Sequence, residues 1–193
     1  IRATGDVELY GGEIVLTGGI TTSATSGKGI VVKATGDINV SSGTAVSRNP
    51  MSVTGTNSTA PVTLWSNSDA TGGGSISIGN YVDVSTRGAD IVFGGSAAAT
   101  DTSPTTHADG VNAGTCDGIR LGSSAVANGS VAINSNGGNV TLRGKNTLNA
   151  GSCMGIKAFS GTAINSGAGA ILFDGVSVAP SGTNNGHGIE LNW

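Results

Sequence analysis

Two cysteines and a scatter of carboxylates are the residues of this chain with chemistry to offer. Cys116 and Cys153 each stand three residues ahead of an isoleucine, Ile119 and Ile156. Equivalent local sequence gives them equivalent positions, so they are either a disulfide or the two free thiols of a reducing compartment. Asp6, Glu13, Asp37, Asp83 and Asp90 open or adjoin short apolar segments. Several carboxylates converging with carbonyls would hold calcium, whereas single ones cap turns. No D-x-D-x-D-G loop and no glycine-rich nonapeptide array occurs, so capping is the expected role and no metal is expected. His107 in SPTTHADG and His187 in NNGHG lie in different loops and read as ordinary surface residues. Asn57, Asn128 and Asn139 head N-x-S/T sequons. Nothing resembles a P-loop, a nucleophile elbow or an HExxH helix, so neither a catalytic residue nor a cofactor is expected.

The elements that carry these residues follow from composition. The 193 residues include 34 Gly, 23 Ser, 22 Thr and 16 Asn, about half the chain, and only 11% are charged. A net charge of −3 is too small for a disordered polyelectrolyte, and clustered glycines exclude collagen. Helix formers never run together. With aromatics at 4% the core must be narrow and filled by Ile, Val and Leu. Nine scattered Lys and Arg give no basic stripe for nucleic acid. No apolar stretch approaches the ~20 residues of a membrane span. The chain opens at Ile1 without a signal peptide and reads as a mature or internal piece of a longer repeat protein.

Internal repetition then defines the architecture. Four thirteen-residue blocks align without a gap: Asp6 to Gly18, Asp83 to Gly95, Ala132 to Gly144 and Ala163 to Gly175. Each reads as a short strand, a turn and a second strand closed by Gly. A looser fifth copy places its strands at 37–40 and 62–64, with a long insertion between. A third strand, usually introduced by Gly, begins at Ile30, Ile76, Ile119, Ile156 and Ile189. Three strands per repeat with loops of varying length predict an all-β parallel β-helix of about five rungs. Its hand is expected to be right, as parallel crossovers are. Residues 94–117 are expected to form a long surface loop on this single segment.

Alternation assigns faces. The inward columns are expected to be Ile30, Ile76, Ile119, Ile156, Ile189 and Leu16, Leu64, Phe93, Leu142, Phe173. Outward, Val31, Ser77, Arg120, Lys157 and Glu190 make a mixed face, while Glu8, Asn39, Ser85, Asn134 and Asn165 make a polar one. A third column, Val15, Thr63, Val92, Thr141 and Leu172, is apolar or β-branched. It is either ordinary strand surface or a candidate lateral-association face. Cys116 and Cys153 share a column in adjacent rungs. A spacing near 4.8 Å fits the Cα separation of about 4.4–6.8 Å that a disulfide accepts.

The block A-I-N-S-x-x-G-x-I/V-x-L/F-x-G, followed by G-I-x-L, resembles the repeats of large secreted bacterial adhesins. These are the filamentous-haemagglutinin group exported by two-partner secretion and its β-strand-repeat relatives. The resemblance spans Asp6 to Trp193 and implies a right-handed shaft in an extracellular or cell-surface filament. That compartment favours the disulfide over free thiols. Expected partners are further β-helical repeats of the chain or end-to-end copies, laterally packed copies, and a host or neighbouring cell surface or polysaccharide. Neither a secretion-domain signature nor Arg-Gly-Asp is present, so no receptor is implied. The alternatives are a carbohydrate-active β-helix enzyme, a polysaccharide-binding module, or an ice-binding surface whose Thr63/Thr141 column is broken by Val92 and Leu172. An enzyme would want acidic and basic groups clustered in one groove, and here they are dispersed along the sequence.

Overall fold

The computed structural model describes residues 1–111, 116–123, 131–148, 153–178 and 186–192. Among them every regular element is a strand, and every strand ladder is parallel. The chain winds through three sheets in turn. The first rung is β1 (Arg2–Ala3), β2 (Val7–Gly11) and β3 (Ile14–Leu16). The second is β4 (Ile20–Thr22), β5 (Ile30–Ala34) and β6 (Ile38–Val40), and the third β7 (Asn49–Val53), β8 (Val62–Trp65) and β9 (Ile76–Ile78). In the fourth, β10 (Val82–Ser85) leads to β11 (Ile91–Gly94), an excursion, β12 (Ala108–Gly110) and β13 (Ile119–Leu121). The fifth is β14 (Ala132–Asn134), β15 (Val140–Asn146) and β16 (Ile156–Ala158), and the sixth β17 (Ala163–Asn165), β18 (Ile171–Ser177) and β19 (Ile189–Leu191). The parallel β-helix is therefore present with three strands per rung, and the described residues form six rungs where about five were expected.

Register stacks like on like. Ile14, Ile38, Ile76, Ile119, Ile156 and Ile189 form one inward column of the third sheet. Val7, Ile30, Val62, Ile91, Val140 and Ile171 form one in the second, and Ile20, Met51, Val84, Ile133 and Ile164 one in the first. The interior residues of these columns are buried in one continuous core. At the last rung Ile171, Ile189 and Leu191 stand partly exposed on the open side.

This register corrects the sequence reading over the first two rungs. Ile30 pairs with Val7 and Val62 instead of joining Ile76. Leu16 stacks on Val40 in the third sheet, apart from Leu64 and Phe93. The outward assignments rotate with them: Val15 joins Asn39 and Ser77, while Glu8 and Val31 join Thr63 and Val92. The block at Asp6 to Gly18 crosses from the second sheet to the third, whereas its three look-alikes cross from the first to the second. A two-residue period looks the same on every side of a three-sided coil, so alternation alone does not say which side a strand occupies. The first-sheet strands of the first three rungs went unread because β1 and β4 are short and β7 contains Pro50, which argues against an internal strand.

The 94–117 segment is also corrected. The chain leaves the coil after Gly94 and returns at Ala108, where β12 pairs with the second half of β15. Ala108 is buried, so among the described residues of this segment the excursion is the 95–107 stretch.

Glycine before the leading isoleucines has a packing cause. In the fourth to sixth rungs the second sheet's exit and the third sheet's start touch at one corner. A Cβ on Gly155 would lie 2.5 Å from Val176 N and 2.6 Å from Gly188 O. Gly155→Ala is expected to lower stability by about 1–3 kcal/mol through overpacking. Gly12→Ala, with nothing within 4 Å of its Cβ, is expected to leave the urea midpoint unchanged.

Candidate functional site

The turns before strands are where the acidic residues act. Asp6 Oδ1 accepts the Gly29 N–H (2.8 Å), Asp37 Oδ1 that of Ser75 (2.7 Å), Asp90 Oδ1 that of Asn139 (2.7 Å), and Asp117 Oδ1 that of Met154 (2.9 Å). Asn139 Oδ1 continues the pattern to Ala170 N–H at 2.9 Å. Each bond runs to the next rung, not back into its own turn. Capping was the expected role, and its inter-rung direction is the finding. Glu13 instead accepts from Asn39 Nδ2 (3.2 Å), and Asp83 pairs with Arg48 at 2.7 Å. Among the described residues no three His, Cys, Asp or Glu side chains gather in a form that would hold a metal.

Asp117 is the buried member of this set, only 7% exposed. Burial pushes its carboxyl above the usual Asp range, opposed by the Met154 N–H and by Lys157 and Arg120. A raised folded-state pKa means stability is greatest with the group protonated and declines as pH rises through that pKa. Asp117→Asn keeps an oxygen acceptor without the charge. The stability of the wild type relative to this variant is therefore expected to fall as pH rises above about 4, measured as paired urea midpoints.

Beside Asp117, Cys116 and Cys153 form a disulfide with a Cα separation of 5.3 Å. The register Ile119 to Ile156 places both sulfurs in one column of neighbouring rungs. Replacing both by Ser is expected to cost about 2–4 kcal/mol for a bridge closing a loop of this size. Denaturation of the variant should be insensitive to reductant, while reductant should bring the wild type to the variant's midpoint.

The five residues of the candidate lateral face separate. Thr63, Val92, Thr141 and Leu172 share one outward column of the second sheet. Val15, 55% exposed, lies on the third sheet. Within the column only Leu172 is strongly exposed, at 45%, and the others are half-buried. His107 Nε2 lies 3.0 Å from Asp174 Oδ1, across the column next to Arg143. His187 uses its backbone, its carbonyl accepting the Gly155 N–H at 3.1 Å. Asn57 sits exposed in a turn with φ of 52°, and Asn128 lies outside the described residues.

Two residues apart on the same sheet runs a second outward column that sequence reasoning missed: Tyr10, Lys33, Trp65 and Gly94. The Lys33 ammonium stands 3.8 Å from the centre of the Trp65 ring. Trp65 Nε1 donates to Ser96 Oγ at 2.7 Å, which ties the excursion to the shaft. Asp101 turns that excursion back on itself: its carboxylate accepts from the Thr105 hydroxyl and the Ala97 and Ala98 N–H groups. These donors hold the Asp101 carboxyl below its usual range, with Lys33 adding a smaller pull. Glu8, Tyr10 and Lys28 form a cluster at the first-rung end of this column. The Tyr10 hydroxyl donates to Glu8, Lys28 Nζ lies 2.9 Å from Glu8 Oε2, and both contacts lower the Glu8 carboxyl. Extending the alternation one step, from Glu8, Val31 and Thr63 to Tyr10, Lys33 and Trp65, was the available signal.

The fold defines a parallel β-helix repeat protein stapled by one inter-rung disulfide. No protein-family model matches the chain, and neither a curated protein nor a solved structure matches it.

Proposed function

We propose that this chain is a shaft segment of a bacterial extracellular filament or surface adhesin, in which rungs stack into a rod without catalysis. The observation that carries the reading is the unbroken stack. Six rungs hold one register around an apolar core, and side chains bond each rung to the next. Such a coil is a spacer by construction, gaining length rung by rung while its surface loops vary freely. The disulfide is compatible with an oxidising compartment. Its partners in this reading are further rungs, from the same chain or from copies stacked on its ends. The strip from Thr63 to Leu172 is the surface for lateral packing between shafts.

Immunogold electron microscopy of intact producing cells, with antibody raised against the purified chain, tests the reading. Gold along projections outside the cell is the expected result. Label confined to the cell interior overturns it, as does release of soluble product when the purified chain is incubated with a polysaccharide panel.

A further inference from the structure

Between the outer face of the second sheet and the 95–107 excursion lies a groove of about 480 Å³. We propose that it binds a neutral oligosaccharide, a function beyond that of a shaft.

Its size falls in the range of small-ligand sites, and its lining is the mixture such sites have, apolar surface with a few fixed polar groups. Three successive rungs build the floor: Glu8 and Tyr10 on β2, Lys33 on β5, and Thr63 and Trp65 on β8. The 101–104 stretch supplies the wall, with Asp101, Thr102, Ser103 and Pro104. Tyr10, at one side, is 63% exposed. A pyranose presents an apolar C–H face ringed by hydroxyls. It therefore needs a flat apolar surface beside donors and acceptors, and Tyr10 next to the Glu8–Lys28 pair offers both.

Charge selects the class of sugar. Glu8 and Asp101 balance Lys28 and Lys33. Glu8 pairs with Lys28 and Lys33 rests on Trp65 within the groove, while Asp101 is held from behind by the backbone and hydroxyl of its own excursion. A balanced site has no net field to draw in a phosphate- or uronate-bearing polymer. Its paired groups retain spare lone pairs and protons for neutral hydroxyls. The site is also held in place before any ligand arrives. Lys33 rests on Trp65, Trp65 bonds Ser96, and Asp101 fixes the turn of the wall, so binding orders little that is not ordered already. A protein partner is disfavoured by scale, since a stable interface wants roughly 800 Å² per side.

Isothermal titration of the purified chain with cellohexaose, maltohexaose, mannohexaose and chitohexaose tests this, with hexagalacturonate as the anionic comparator. Saturable binding of at least one neutral hexasaccharide is expected. Tyr10→Ala should weaken it by about tenfold without moving the urea midpoint, since the ring is exposed. Absence of saturable binding by all four neutral sugars overturns the proposal. So does binding of hexagalacturonate alone, or unchanged affinity in Tyr10→Ala. None of these outcomes bears on where the chain resides, so failure here leaves the shaft reading standing.

Discussion

The parallel ladder spacing of about 4.8 Å between neighbouring strands governs the rest of this molecule. Inward residues of the three sheets meet in one narrow core, and along each sheet every isoleucine finds its nearest neighbours in the rungs above and below. Columns of like residues are the consequence, and the same spacing decides what else happens between rungs. A carboxylate at the start of one strand reaches the N–H at the start of the next. Two cysteines one rung apart stand at bonding distance. Hydrogen bonds from Asp6, Asp37, Asp90 and Asp117 satisfy backbone donors at corners where the ladder itself is interrupted.

That geometry divides the surface into two kinds. Along a column the environment repeats, and the outward residues can be charged, polar or β-branched without disturbing the core. On the third sheet Lys157 lies 3.6 Å from Glu190 of the next rung, and Arg120 and Lys157 both approach the Phe159 ring. Where the chain leaves the coil and returns, the repetition is broken, and side chains from different rungs can converge under a roof. The 95–107 excursion is such a place, because Trp65 and Asp101 give it fixed internal contacts.

Much of this was legible in the sequence, and the failures have a common cause. The repeat, the three-strand rung and the shared column of Cys116 and Cys153 followed from spacing, since spacing is what a stacked coil conserves along itself. The choice of a bridge over free thiols came from the resemblance to secreted adhesins. Ile76, Ile119, Ile156 and Ile189 were aligned correctly because glycine and isoleucine recur there at one corner. Ile30 carries the same Gly-Ile signature at a different corner, and the fold distinguishes the two only through β4 and β7, whose sequences are nearly silent. The groove was invisible for another reason: it depends on where a loop folds back, and the contact of Trp65 with Ser96 spans 31 residues without any local pattern.

The disulfide also sets how the shaft answers a pull along the chain. A coil held by neighbour contacts comes apart one rung at a time from whichever end is drawn. Cys116 and Cys153 enclose a sequence separation of 37 residues, and their bond carries tension directly from one to the other. At about 3.5 Å per extended residue, roughly 130 Å of chain is thereby withheld from extension, including β14 and β15 with their share of the core. Rungs outside the bridge can unwind and lengthen the rod, while the enclosed turn transmits force without giving way.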